Sequence, residues 1–352
     1  MTTSSLDTLW YTRCPTLTAS SIAIRDGWLE RAFEPLGILV RSLTEARDRD
    51  THESHFSHSK PNSFRHGGNI PPLWARSEGQ PTRLLGLTWG ETPYAILALP
   101  ESGIHTVADL AGKRLALPRR TKDAVDFARA MYLQTYDAAL ASAGMSRDEV
   151  SIVDLPVTAG FLDDSAGQVK RGALWNAAQL RGFQRTEICA LLNGQVDAIA
   201  SSGYWIAENI AMFGAISVFD SRSLPSRTER ANSGNPSLLT VSSALVDERP
   251  DLIVRWLACL MAAGDWGRRH VGDSVRIAAQ ETGVAEAFVE LNGEEALLGC
   301  LDIGFDDETV EALRAQKARL LQNGFIGRDI DLDAWMAPEL LARARDEALD
   351  FA

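Results

Sequence analysis

The chain has 352 residues, of which 45% are hydrophobic and 23% charged, the composition of an ordinary globular protein. At roughly 100–200 residues per domain this length suggests two lobes that each bury a core, and it excludes a disulfide-stapled miniprotein. Lys and Arg number 35 against 47 Asp and Glu, a net charge of −12, which disfavours nucleic acid and anionic membrane surfaces as partners.

We expect neither an export signal nor a membrane segment in this chain. Its first residues lack a basic stretch followed by an apolar run, so we expect no secretion signal and a cytoplasmic location. No apolar run approaches the roughly 18 residues that a membrane helix requires, and we expect no membrane contact. The cysteines are Cys14, Cys189, Cys259 and Cys300. They have neither zinc nor disulfide-framework spacing, so we expect each thiol to be free. We also expect a monomer.

Short β-rich runs alternate with helical patterns, which is typical of an α/β protein with a largely parallel sheet. Near the N-terminus the pattern predicts a strand at 8–12, a helix from Pro15 to about 33, broken by Pro35 and Gly37, and a strand at 38–43. Residues 47–81 are rich in His, Ser, Pro and Gly with little periodicity. They are therefore predicted to form a long loop, which in a compact domain is usually functional or disordered.

The rest of the chain continues the alternation and then becomes helical from Pro250 onwards. Strands are predicted at 84–88, 94–99, 113–117, 152–155, 196–200, 216–219 and 238–241. Helices are predicted at 107–111, 122–143, 186–192, 205–212, from Pro250, at 307–323 and at 333–349. We divide the chain into a discontinuous first lobe, 1–99 and 218–352, and a second lobe, 100–217, with a cleft between them.

Cys14 is the first candidate for chemistry. It is predicted to lie where a strand ends and a helix begins, so free N–H groups and the helix dipole would favour a thiolate. The competing interpretation is a small buried hydrophobic residue. The other three cysteines have apolar helical neighbours, and we expect them in the core.

The segment 52–69 holds four of the six histidines, His52, His55, His58 and His66, together with Arg65 and Gly67-Gly68. An imidazole can exchange a proton with a thiol, a guanidinium can bind an oxyanion through two N–H groups, and glycine lets the backbone approach an anion closely. Two alternatives remain open: His52, His55 and His58 could bind a metal from one helix face, or the whole stretch could be a solvated loop.

Other motifs give little support for a cofactor. The chain has no GxGxxG, no GxxxxGK[ST] and no GxSxG, so we expect no nucleotide cofactor and no serine nucleophile of the elbow type. His105 and His270 are isolated, and we expect structural roles for both. We therefore expect a cofactor-free protein whose partner is a small anionic molecule.

Taken together, the residues resemble the aromatic sulfinate desulfinases, the 2'-hydroxybiphenyl-2-sulfinate desulfinase family, over nearly the whole chain. The matching residues are Cys14-Pro15, His55-Phe56, Pro61, Arg65 and Gly67-Gly68, followed by Ile70-Pro71-Pro72-Leu73 and Arg83-Leu84-Leu85-Gly86. The set of Cys14, His55, Arg65 and Gly67-Gly68 is the discriminating part. Further matches, Asp109-Leu110-Ala111-Gly112 and Gly194 with Val196-Asp197-Ala198, occur throughout the type II periplasmic-binding-protein fold and support only that architecture.

The resemblance implies a two-lobed type II periplasmic-binding-protein-like α/β fold with a helical C-terminal portion, and an active site in the cleft. It implies that Cys14 is essential, that His55 is its partner, and that Arg65 with the backbone of Gly68 holds the sulfinate oxygens. We take Gly67 and Gly68 as the substrate-binding glycines. The implied activity is hydrolysis of a C–S bond with release of sulfite.

Two routes for this reaction stay open. The Cys14 thiolate could attack sulfur and form a thiosulfonate-like intermediate, or the thiol could protonate the ring carbon so that sulfur dioxide departs. The alternatives to a desulfinase are a non-catalytic intracellular binder of a small sulfonate, sulfinate or other anion, and a metal-dependent lyase or hydrolase that uses the histidines.

The sequence departs from the family pattern at His58, Lys60, Ser63 and His66, where the pattern has aromatic or uncharged side chains. If these groups faced the pocket without partners on a biphenyl body, each would cost about 1–3 kcal/mol. We therefore expect a more polar organic body, provided that these side chains line the site.

Overall fold

A computed structural model of the chain describes residues 6–158, 160–162 and 184–347, and its strands form two five-stranded sheets. The strands are β1 (Thr8–Arg13), β2 (Leu39–Ser42), β3 (Ser63–Gly67), β4 (Thr82–Thr88), β5 (Tyr94–Ala98), β6 (Arg114–Arg120), β7 (Ser151–Val157), β8 (Ala198–Ser202), β9 (Ile216–Asp220) and β10 (Ser237–Ser242). The strand order is β2-β1-β3-β10-β4 in the first sheet and β7-β6-β8-β5-β9 in the second.

Helices flank both sheets and make up most of the chain after β10. In the first part they are α1 (Ala19–Arg25), α2 (Trp28–Phe33), α3 (Arg49–Ser57), α4 (Ile70–Ser77), α5 (Phe127–Ser142), α6 (Arg185–Leu192), α7 (Trp205–Phe213) and α8 (Arg227–Arg230). After β10 they are α9 (Ser243–Glu248), α10 (Pro250–Arg269), α11 (Val271–Thr282), α12 (Glu286–Glu290), α13 (Glu294–Gly299), α14 (Asp307–Gln322), α15 (Leu332–Trp335) and α16 (Pro338–Arg345).

Each sheet contains one strand that runs against the other four. In the first sheet β10 is antiparallel to β3 and β4, and in the second β5 is antiparallel to β8 and β9, whereas the remaining pairs are parallel. The chain crosses from the first sheet to the second before β5, and it returns to the first sheet before β10. The predicted α/β class with largely parallel sheets is confirmed.

The membership of β5 bears on the lobe boundary. The predicted division assigned 1–99 to the first lobe, but β5 pairs with β8 and β9 in the second sheet. We therefore propose that the two lobes join through residues 89–93 and through the stretch between β9 and β10. The hydrophobic core supports a close association, since one buried cluster includes Leu84 of the first sheet and Ile96 of the second.

Two predictions for the N-terminal part are wrong. The helix predicted at 15–33 is two helices, because Thr18 caps α1 with its side chain and Gly27, at φ 68°, separates α1 from α2. The loop predicted at 47–81 contains α3, β3 and α4. Its polar composition concealed them, because the polar residues of β3 are buried at the middle of a sheet instead of facing solvent.

The C-terminal portion is helical, as predicted, with one interruption. The helix predicted at 333–349 is α15 followed by α16, and Pro338 begins the second of these, where its missing N–H costs nothing. Residues 348 and 349 lie outside the described residues. Within the described ranges, no helix combines the length and the apolar character that crossing a membrane would require.

Candidate active site

The site lies where the carboxyl ends of parallel strands from the two sheets meet. Cys14 directly follows β1 and Gly68 directly follows β3, and these strands are parallel neighbours. In the second sheet Ser202 ends β8 and is paired with Tyr94, which begins the reversed strand β5. Loops at such an edge can project side chains into one space, which is where α/β proteins bind ligands.

A cavity of about 190 Å³ occupies this position and draws its walls from both sheets. Four predicted site residues line it, Cys14, His55, Arg65 and Gly68. Its other walls come from residues to which the sequence analysis assigned no site role; they include Thr16, Phe56, Thr92, Tyr94, Phe127, Met131, Phe161, Ser202, Tyr204, Trp205, Ser233, Thr282 and Asn292.

The alternation of β1 and β3 decides which side chains reach the cavity. Thr12 is paired with Arg65 in the parallel ladder, and Cys14 comes two residues after Thr12, so all three lie on one face of the sheet. The intervening residues point to the opposite face, where Arg13 forms an ion pair with Glu281. The face that carries Cys14 could therefore have been deduced from the sequence of β1.

Gly67 allows Cys14 to lie close to β3. The Cys14 N–H donates to the carbonyl oxygen of His66 at 3.0 Å, which extends the ladder by one residue. A Cβ added to Gly67 would lie 2.4 Å from Cys14 Sγ. The φ angle of Gly67, 150°, is also one that residues with a side chain rarely adopt. Gly67 therefore packs beneath the thiol, whereas Gly68 is the glycine that borders the cavity.

Arg65 is a buried cation with no carboxylate partner in the part of the chain that the structure describes. Its side chain is held by backbone carbonyls, with Nε donating to His55 O at 3.0 Å and Nη1 to Gly68 O at 2.9 Å, and Nη2 lies 3.5 Å from Cys14 Sγ. The residue is 1% exposed. Among the residues that the structure describes, no Asp or Glu is within ion-pair distance of it. Because an uncompensated buried charge is costly, negative charge beside this guanidinium, on a bound anion or on the Cys14 sulfur, would be stabilised.

His55 presents a neutral imidazole to the cavity. Its Nδ1 forms a 2.7 Å hydrogen bond with Thr12 Oγ1, which fixes the orientation of the ring. Burial, with a smaller contribution from the positive charge of Arg65, lowers the pKa of His55 to about 3. At neutral pH His55 is therefore uncharged.

Three phenylalanines form an aromatic wall beside His55: Phe56, Phe127 and Phe161. Phe161 stacks on the His55 ring with 6.1 Å between centroids, and its ring meets that of Phe127 edge-to-face at 5.4 Å. Phe56 lies 5.9 Å from Phe161 and 6.0 Å from Phe127. This wall suits a planar aromatic group. Phe127 and Phe161 come from distant parts of the sequence, and no local pattern distinguished them from core residues.

Cys14 lines the cavity, but the prediction that it lies at the start of a helix is wrong. Cys14 does not open a helix, since α1 begins at Ala19. The group that can stabilise negative charge at this sulfur is the guanidinium of Arg65. Cys189 is exposed on α6, which contradicts the predicted core position, whereas Cys259 is buried and Cys300 is half-buried.

Three of the four clustered histidines have structural positions. His52 Nε2 bonds to the carbonyl of Ala46, His58 Nε2 to the carbonyl of Ser63, and His66 Nδ1 to the hydroxyl of Ser20. Over residues 6–158, 160–162 and 184–347, no group of three His, Cys, Asp or Glu is arranged to hold a metal ion. The metal-binding alternative therefore finds no ligand cluster in this part of the chain.

The side chains that would have favoured a polar substrate do not line the cavity. None of the four departures from the family pattern borders the cavity: His58, Lys60, Ser63 and His66. Lys60 Nζ donates to Thr51 and lies over the ring of Trp10, and Ser63 donates to the carbonyl of Lys60. The cavity wall beside His55 is aromatic instead.

Of the two isolated histidines, His105 is exposed and His270 stacks on Trp266.

Comparison with known proteins gives matches over most of the chain. It is 28% identical to the 2'-hydroxybiphenyl-2-sulfinate desulfinases of Rhodococcus erythropolis and Rhodococcus qingshengii, over 95% of this chain and 93% of theirs. A crystal structure of a mutant of DszB in complex with biphenyl-2-sulfinic acid superposes with a TM-score of 0.75 at 27% identity, covering 97% of this chain and 99% of the other.

More distant matches bear on the fold. The model of the family described as NMT1/THI5 like matches residues 67–181. The periplasmic aliphatic sulphonate binding protein SsuA from Escherichia coli superposes with a TM-score of 0.65 at 16% identity, covering 95% of this chain and 92% of the other. These comparisons confirm the predicted resemblance to the desulfinase and the predicted periplasmic-binding-protein-like α/β fold.

Proposed function

We propose that this chain is a cofactor-free desulfinase, a C–S bond hydrolase that converts an aryl sulfinate and water into the arene and sulfite. One observation carries the proposal: the buried Arg65 has no carboxylate partner among the described residues, and it holds Nη2 3.5 Å from Cys14 Sγ, beside an aromatic wall. A sulfinate supplies the missing negative charge, and its aryl group has the shape that the wall accepts. The similarity to 2'-hydroxybiphenyl-2-sulfinate desulfinase supports the same activity.

In this proposal Cys14, His55 and Arg65 act together on the sulfinate. Arg65 binds the sulfinate oxygens with N–H groups that its carbonyl partners leave available, and Gly68 borders the same position. His55, uncharged at neutral pH, exchanges a proton with Cys14. The aromatic wall holds the ring and keeps water away from the C–S bond.

Both chemical routes balance with these groups. In the first, the Cys14 thiolate bonds to sulfur, the aryl carbon leaves with a proton, and water then releases sulfite and restores the thiol. In the second, the Cys14 thiol protonates the ring carbon, sulfur dioxide departs and is hydrated to sulfite, and the proton set free returns to Cys14 through His55. Each route consumes one water for each sulfinate and needs no external oxidant or reductant.

The direct test is a panel of aryl sulfinates, alkyl sulfinates and the matching sulfonates incubated with the purified protein, with sulfite and the desulfinated product both quantified. We expect sulfite and arene in equal amounts from at least one aryl sulfinate, and none from the sulfonates. Calorimetry on the compounds that are not converted reports binding. Tight binding of sulfinates or sulfonates with no product from any of them would contradict the proposal and favour the solute-binding alternative.

Arg65→Lys should weaken substrate handling while leaving the protein folded. Lysine keeps the positive charge but loses the planar fork and the two hydrogen bonds to backbone carbonyls, so we expect kcat/KM for an aryl sulfinate to fall about 100-fold. Arg76→Lys is the matched control, because Arg76 also donates to a backbone carbonyl, that of Gln80, but lies outside the cavity. Unchanged kinetics for Arg65→Lys would show that the guanidinium does not bind the sulfinate.

A further inference from the structure

Behind the aromatic wall lies a buried carboxylate that does not border the cavity. Asp123 is in the turn between β6 and α5, and its side chain is 3% exposed. Its Oδ2 accepts from Arg120 Nε at 2.7 Å, and its Oδ1 accepts from the backbone N–H of Phe161 at 2.6 Å. A carboxylate that accepts from a backbone N–H in a buried setting makes a strong, charge-assisted hydrogen bond.

The peptide held by Asp123 belongs to the residue whose ring covers His55. Phe161 stacks on the imidazole with an interplanar angle of 21°, and it also contacts the rings of Phe56 and Phe127. The ion pair with Arg120, which is 7% exposed, fixes the carboxylate from its other side. A continuous chain of contacts therefore runs from the buried ion pair, through one main-chain hydrogen bond, to the ring beside His55.

We propose that Asp123 is a positioning residue that sets affinity for the aryl group by holding the main chain of Phe161, so that the Phe161 ring stays stacked on His55. This inference rests on the proposed function in that it takes an aryl sulfinate as the ligand. Asp123 does not border the cavity and acts entirely through Phe161. Because a ring displaced by about 1 Å loses much of its contact with a bound arene, a residue outside the cavity can control binding inside it.

The same turn supplies a matched control. Asp126 also accepts backbone hydrogen bonds in this turn, from Arg120 N at 2.7 Å and from Arg129 N at 3.1 Å. It caps α5 but makes no hydrogen bond to Phe161 among the described residues. Asp126→Asn therefore removes a negative charge from the same turn without releasing the Phe161 peptide.

The experiment is a double-mutant cycle on binding, which does not depend on turnover. In the Cys14→Ser background, titration calorimetry measures the dissociation constant of benzenesulfinate for the parent, Asp123→Ala, Phe161→Ala and the double variant. We expect each single change to weaken binding about tenfold, and the double change to weaken it no more than Phe161→Ala alone. Asp126→Asn should leave the dissociation constant within about twofold of the parent.

Each outcome supports or overturns the inference. Additive effects of Asp123→Ala and Phe161→Ala, an Asp126→Asn effect as large as that of Asp123→Ala, or failure of the parent to bind benzenesulfinate would each overturn it. If Asp123→Ala does not fold, Arg120→Met with Asp123→Ala removes both buried charges and takes its place in the cycle. Desulfination is judged separately by sulfite release from the protein with Cys14 intact, so the two proposals can fail independently.

Discussion

Replacing Cys14 with serine should lower sulfite release from any accepted aryl sulfinate by about 1000-fold or more, while the dissociation constant of that sulfinate changes by less than about threefold. Serine nearly preserves the volume beside Gly67 and Arg65, so the cavity keeps its shape and its positive charge. It cannot supply a nucleophilic thiolate, and its hydroxyl is a far weaker acid than a thiol. Both chemical routes therefore stop in this variant.

The measurement pairs a sulfite assay with calorimetry on the same preparation, so that lost chemistry is separated from lost binding. Cys189→Ser is the control, because it makes the same atomic change at an exposed thiol on α6. It should leave both sulfite release and binding unchanged. Normal turnover by Cys14→Ser would remove the cysteine from the mechanism, and a loss of binding equal to the loss of turnover would make Cys14 a binding residue only.

The sequence was sufficient to place Cys14, because the relevant signals are local. The strand predicted at 8–12 is β1, and its alternation places Thr12 and Cys14 on one face. The carboxyl end of a parallel strand is where an α/β protein binds its ligand. What could not be read from local signals was the source of positive charge. The helix predicted to begin at Pro15 begins at Ala19, and Arg65 lies in a strand beside the cysteine instead.

The segment predicted as a loop shows why composition misled. Strand β3 has the sequence Ser-Phe-Arg-His-Gly. Its Ser, Arg and His would normally indicate a solvent-exposed segment, yet all five residues are buried. Their partners come from elsewhere in the fold: Ser63 N bonds to Ser242, Arg65 to the carbonyl of His55, and His66 to Ser20. A sequence pattern records polarity but not the partner that satisfies it. The aromatic wall was missed for the same reason, because Phe127 and Phe161 meet Phe56 only in the folded chain.

The clustered histidines show the same limit, and they lead to a testable consequence for stability. Burial, together with the buried charge of Arg65, lowers the pKa of His58 to about 4 and the pKa values of His55 and His66 to about 3. In the unfolded chain each imidazole has its ordinary pKa near 6.5. Between these values the unfolded state binds more protons than the folded state, so the free energy of unfolding falls as the pH is lowered.

We expect this free energy to fall by up to about 4 kcal/mol for each pH unit below pH 6. Because ordinary domains are stable by only about 5–15 kcal/mol, we expect the protein to unfold without denaturant between about pH 5 and pH 3. Urea unfolding at a series of pH values measures the slope. In His66→Gln, which keeps a polar partner for Ser20 without titrating, the slope should shrink by about 1.4 kcal/mol per pH unit. His105→Gln, at an exposed histidine, should leave it unchanged. A slope that His66→Gln does not alter would mean that His66 is not a neutral buried group in the folded protein.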